Sequence, residues 1–324
     1  MANITLHMGQ YKTGSTAIQK FLHKHKGPLW DRGFVYPNTG IRTEAHFGLT
    51  DFIEGQPKRA RDTYEALRTE VSQYRDKTVI LSNEALSGYS CREFNEPWVR
   101  ATWRMLSDTL GDHIARIVLY VRRQDDAVES RLIQHIKARS RGTDLDFSEL
   151  VQARGALNYS YVDALLRDCF PNSELIYRPY GSAFFRGGSA VNDFLDVLGL
   201  TDMEDEKGAR PNERPKGGFI EYLLMRNNGD LKDFLGRKNI RDDHTDIGRA
   251  WRYFNSDAFP DATVLTPADR GQIMAGFEDS NAAFAAACLS GQDRQNFEQM
   301  MQKPVSQIDK NVWMSARDLV GIFA

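Results

Sequence analysis

From Gly9 to Thr16 the chain reads Gly-Gln-Tyr-Lys-Thr-Gly-Ser-Thr. These residue types bind phosphate. Gly9 and Gly14 let backbone N–H groups close on an anion, Lys12 adds a mobile positive charge, and Thr13, Ser15 and Thr16 supply hydroxyl donors. Gly9 and Gly14 have the separation of the nucleotide-triphosphatase loop, but Ser15 stands where that loop has its lysine, and Lys12 lies two residues ahead of the second glycine. A second basic site follows the apolar run Ile117–Val121, where Arg122 and Arg123 can fork onto phosphate oxygens. Ser130, eight residues after Arg122, falls about two turns into any helix begun by Asp125 and Asp126. For proton transfer there are two candidates. Glu84 in Val-Ile-Leu-Ser-Asn-Glu follows an apolar run, and His46 belongs to the residue type that titrates near neutral pH. His7, two residues before Gly9, reads as a buried neutral support for the loop. The other histidines and Cys91, Cys169 and Cys288 form no grouping with metal-ligand spacing, so no metal is expected.

These residues need elements to place them. Strand-like runs occur at Ile4–Met8, Thr78–Ser82, Ile114–Val121 and Glu174–Tyr180, separated by stretches of helical periodicity at 15–26, 61–74 and 98–110. Strands alternating with helices predict an α/β fold, a three-layer P-loop-like domain with a mostly parallel central sheet. Ligands of such sheets bind beyond the carboxyl ends of the strands, where Lys12, Glu84 and Arg122 all fall. After residue 200 the pattern turns helical, with Lys216–Arg226 and Ala268–Cys288 the clearest members and Thr266 and Pro267 opening the second. Ile273, Phe277, Phe284 and Cys288 then share one face. The expected organisation is a core over 1–200 and a mainly helical part over 201–324 packed on it as one structural unit.

With 324 residues, 41% apolar and 27% charged, the chain can bury a sizeable core and resembles neither a disordered nor a fibrous protein. A formal net charge of -2 gives no reason to expect nucleic acid as partner. The longest apolar run, Ala282–Leu289, is far short of the roughly 20 residues that span a bilayer, and the N-terminus has no secretory pattern. No transmembrane segment and a cytoplasmic location are expected. Oligomeric state is not legible.

Lys12-Thr-Gly-Ser-Thr at the end of the first strand resembles the 5'-phosphosulfate loop of the sulfotransferase family. Arg122, followed at the same interval by Ser130, resembles that family's 3'-phosphate motif. Tyr-Val-Arg-Arg-Gln-Asp-Asp before the serine is similar to the bacterial carbohydrate-type members. Weaker similarity runs through Arg210-Pro-Asn-Glu, and Arg214-Pro-Lys-Gly-Gly is similar to the loop that caps the 3'-phosphate, with a proline interrupting it. The resemblance implies a 3'-phosphoadenylyl sulfate (PAPS)-binding core and transfer of a sulfuryl group to an acceptor hydroxyl, with a carbohydrate or glycan as acceptor and 3'-phosphoadenosine 5'-phosphate (PAP) as product. It implies that Lys12 contacts the bridging oxygen, that Ser15 and Thr16 contact the 5'-phosphate, and that Thr13 and Gly14 shape the loop. Arg122 and Ser130 then hold the 3'-phosphate, and Glu84 is the base, with His46 as alternative. Two other readings stand beside it: a P-loop kinase using ATP and magnesium, and a nucleotide-binding protein without catalysis.

Overall fold

The computed structural model describes residues 3–52, 54–87, 96–138, 154–205, 215–228, 246–254, 261 and 263–303. Five strands form the sheet: β1 (Asn3–His7), β2 (Phe34–Val35), β3 (Thr78–Ser82), β4 (Ile114–Val121) and β5 (Glu174–Pro179). Their order is β2-β3-β1-β4-β5 and every pairing is parallel. The four expected strands are present, and β3 and β4 have the expected bounds. β2 escaped the sequence reading because two residues are too few to show alternation.

The helices are α1 (Ser15–Lys24), α2 (Lys26–Asp31), α3 (Pro57–Val71), α4 (Glu96–Leu110), α5 (Gln124–Lys137), α6 (Arg154–Leu157), α7 (Tyr159–Cys169), α8 (Ala190–Val197), α9 (Gly217–Asn228), α10 (Asp246–Phe254), α11 (Pro267–Ala275), α12 (Glu278–Cys288) and α13 (Gly291–Gln302). Side chains alternate across a strand, so each central strand feeds two cores. Leu6, Val79, Leu81, Ile117 and Leu119 pack against α3, α4, α7 and the Phe284–Phe297 pair of α12 and α13. Ile80, Val118 and Tyr120 face the opposite layer, made by Ile18 and Leu22 of α1, Leu29 of α2 and Phe194 of α8. Leu6 is fully buried, and Leu6→Ala would cost about 2–5 kcal/mol through transfer and cavity.

The chain divides into two compact units. The first collects 1–124, 148–211 and 277–303, and the second includes the described residues of 125–147 and 212–276. The division differs from one boundary near residue 200, because 277–303 returns to the first unit, where Phe284 packs on Tyr159 and Tyr177. The helix expected over 268–288 is accordingly two helices. Thr266 caps α11 through a reciprocal capping box with Asp269, as its sequence suggests, but the run breaks at Phe277, whose φ of -122° and ψ of 3° are not helical. Ile273 and Phe284 therefore do not share a helical face. The second unit has its own apolar centre, where Phe219 meets Trp251 edge to face at 4.8 Å and Tyr222 neighbours Phe254. Among the described residues no helix is long and apolar enough to cross a membrane.

Candidate functional site

β1 has β3 on one side and β4 on the other, and the chain passes from β3 across β1 to reach β4. In parallel sheets a reversal of this kind forms the crevice in which ligands bind, at the carboxyl ends of the strands. Main-chain hydrogen bonds hold the ends together: Asn83 N–H donates to the His7 carbonyl at 3.0 Å and Met8 N–H to the Val118 carbonyl at 2.9 Å. The segments leaving these ends carry Lys12, Glu84 and Arg122, so adjacent strands bring together residues far apart in the chain.

The loop after β1 turns through left-handed backbone at Gly9, Lys12 and Gly14, with φ of 33°, 66° and 80°. A lysine in that region is strained, which the fold tolerates at few places outside functional sites. Glycine is required at Gly9 for a second reason. A Cβ there would stand 2.4 Å from Ser15 Oγ and 3.1 Å from His7 Nε2. Thr13 is fully buried and donates its hydroxyl to the Gln10 carbonyl at 2.5 Å, bracing the turn. Ser15 opens α1 with its hydroxyl buried and unpartnered, and the Gln10 side-chain nitrogen is likewise buried without a partner. Buried donors are nearly always satisfied, so two orphans in one loop at a helix N-terminus mark the place where an anion fits. Thr16 follows Ser15 in the first turn and is half-buried.

Arg122 is positioned by β4 and by two side chains that sequence reasoning missed. Its N–H is shared between Gln10 Oε1 at 3.2 Å and the Tyr159 hydroxyl at 3.1 Å. Its guanidinium donates to the Lys12 carbonyl at 2.9 Å and lies over the Tyr180 ring, 5.6 Å from the centroid. Arg122 is thus tied to the loop that follows β1. Arg123 does not join it: this side chain is buried and donates to the Lys303 carbonyl. Ser130 lies on α5 in the part grouped with the second unit. Asp125 and Asp126 pair with Arg270, and Lys216 donates to Asp261 at 2.9 Å, each within that second unit.

Glu84 begins a 3-10 turn after β3, and the Asn83 side chain accepts from Ala85 N–H to start it. Glu84 is 9% exposed, and its carboxylate accepts from Gln19 Nε2 at 2.5 Å. Gln19 stands one turn after Ser15 on the buried face of α1, so one helix face serves both the loop and the carboxylate. His46 is fully buried, with Nδ1 accepting from Ser82 N–H at 3.1 Å and Nε2 facing the Pro37 carbonyl at 3.2 Å. Burial pushes its pKa down to about 4, so it is neutral near pH 7 and both ring nitrogens are occupied by backbone. His7 is also fully buried, with its pKa pushed down to about 3 by burial.

The sequence pattern around Gln10, Gln19, Tyr159 and Tyr180 carries no code for these contacts. Gln10 and Gln19 lie beside recognised motif residues, but their partners come from β4 and β3. The stretch Arg210–Arg214, Cys91 and His244 lie outside the described residues. Among the described residues no three His, Cys, Asp or Glu side chains group as metal ligands.

No family model matches the chain, and no solved structure matches it significantly. Over 119 residues it is 29% identical to a protein of Archaeoglobus fulgidus described as uncharacterized. The match covers 36% of this chain and 31% of that protein, so this chain spans less than a third of the length of the relative it matches.

Proposed function

We propose that this protein is a PAPS-dependent sulfotransferase, with a P-loop-like phosphate site, acting in the cytoplasm on a hydroxyl of a carbohydrate. The observation that carries the reading is the pair of buried, unpartnered donors at Ser15 and Gln10 beside Lys12, in a crevice that also receives Glu84 and Arg122. The resemblance of Lys12-Thr-Gly-Ser-Thr to the phosphosulfate loop supplies the kind of anion. In the reaction proposed, the acceptor oxygen forms a bond to sulfur as the bond from sulfur to the 5'-phosphate oxygen breaks. Glu84 takes the hydroxyl proton, and Lys12 stabilises the negative charge that develops on the leaving phosphate oxygen. Gln19 holds the Glu84 carboxylate in place. Arg122 takes the 3'-phosphate, which leaves within PAP. A sulfuryl group carries less charge than a phosphoryl group, so the step needs no bridging metal. His46, with both ring nitrogens engaged by backbone, serves the site as a strut between the end of β3 and Pro37.

Calorimetric titration of PAP, beside ATP with magnesium, tests the reading. Tight binding of the bisphosphate that disappears when its 3'-phosphate is removed is the expected result. Binding of ATP with magnesium but not of the bisphosphate would replace this reading by the kinase one.

A further inference from the structure

We propose that His7 is a positioning residue of the phosphate loop: when an anion occupies the loop, its Nε2–H donates to Ser15 Oγ and turns the serine proton toward that anion. The inference rests on reading the loop as an anion site, and it holds for any phosphate-type anion placed there. His7 ends β1 directly beneath the loop. Its Nδ1 lies 2.8 Å from Ser82 Oγ, two residues before Glu84. The ring is wedged between Tyr120, edge to face at 5.7 Å, and Phe194 at 5.0 Å, so it has one orientation. Its other nitrogen is buried with no partner, and so is Ser15 Oγ.

Both orphans converge on one spot, because the Cβ that Gly9 lacks would stand 3.1 Å from the first and 2.4 Å from the second. A serine hydroxyl that donates its proton to an anion keeps lone pairs that need a donor, and the imidazole is the buried group placed to supply one. A neutral imidazole carries a single ring proton. Within this proposal Ser82 is the donor to Nδ1, 2.8 Å away, which puts that proton on Nε2.

Glutamine at this position keeps an amide near Nε2, whereas asparagine keeps one only near Nδ1. The test is a double-mutant cycle of His7→Asn with Ser15→Ala, with His7→Gln alongside, titrating inorganic pyrophosphate and PAP by calorimetry. His7→Asn is expected to weaken both anions about tenfold in the natural background and less than about twofold in the Ser15→Ala background, with His7→Gln within about threefold of the natural protein. An equal loss in both backgrounds overturns the proposal. If pyrophosphate shows the coupling and PAP binds no more tightly than pyrophosphate, the His7 role stands and the sulfotransferase reading fails. If neither anion binds, both fall. Should His7→Asn not fold, nitrogen-15 NMR of the natural protein decides: a proton on Nε2 in the pyrophosphate complex supports the proposal, and a proton on Nδ1 overturns it.

Discussion

In the second unit Arg270 is almost fully buried and faces three carboxylates, Asp125 at 3.1 Å, Asp126 at 3.2 Å and Glu129. The other oxygen of Glu129 accepts from the Thr263 hydroxyl at 2.8 Å and from Val264 N–H at 2.9 Å. In the first unit, beyond β3, β1 and β4, Ser15, Gln10 and His7 each keep a buried atom without a partner; the Arg270 cluster keeps one too, the guanidinium Nε, but its charge is matched by three carboxylates. The contrast separates two uses of buried polarity. A cluster whose charges are matched by its own chain fixes elements against each other, here α5 against α11 and the segment Thr263–Leu265. Unpartnered donors gathered in one loop at a helix N-terminus carry a desolvation cost that a bound anion would remove.

Several substitutions sharpen or break this contrast. Glu84→Ala is expected to fold normally, to keep PAP affinity and to lose about a hundred- to ten-thousand-fold in turnover, measured by sulfuryl transfer to an accepted hydroxyl compound. Near-normal turnover would remove Glu84 as the base. Lys12→Ala should lose turnover on a similar scale, since it acts on the leaving oxygen. Arg270→Ala should instead destabilise the protein by about 3–5 kcal/mol in urea denaturation, because three carboxylates lose their shared cation, while PAP affinity of the folded fraction stays within about threefold. A stability change under 1 kcal/mol (about the value of an exposed pair) would contradict the structural role.

Acid should act on the crevice side first. His7 and His46 remain neutral in the folded protein, with pKa values of about 3 and about 4, while the unfolded chain protonates them near 6.5. Folded values below the unfolded one mean that stability is full above pH 6.5 and falls as pH drops toward the folded values. Each histidine contributes about 2 kcal/mol of loss by pH 5, and a flat urea stability between pH 7.5 and pH 5 would show that the burial is not maintained. Arg122→Ala should weaken PAP by about tenfold or more, since a charge-assisted contact is removed, with equal affinity placing Arg122 outside the site. Ser15→Ala is the mildest change, expected to cost about three- to tenfold in the same titration.

Much of the fold was legible because its signals are local. β-branched and apolar runs marked β3 and β4 at their observed bounds, and Thr266 with Asp269 wrote its cap into four residues. The loop from Gly9 to Ser15 was legible for the same reason, since glycine, lysine and hydroxyls at fixed spacing are properties of one turn. The return of 277–303 to the first unit was not, because it depends on where Phe284 and Phe297 pack, although Gly276, the C-cap of α11, marks the break itself. The two arginines after β4 looked equivalent in sequence. In the structure they part, Arg122 to the Lys12 carbonyl and Arg123 to the Lys303 carbonyl.

The sequence by itself determined that this is an α/β protein with a glycine-bearing loop between its first strand and first helix, since periodicity and turn chemistry act over a few residues. Tertiary structure alone decided that Gln19 would hold Glu84, that Gln10 and Tyr159 would hold Arg122, and that both ring nitrogens of His46 would be taken by backbone. Those pairings span tens of residues along the chain, and they exist because the parallel order β3-β1-β4 sets the carboxyl ends of distant segments side by side.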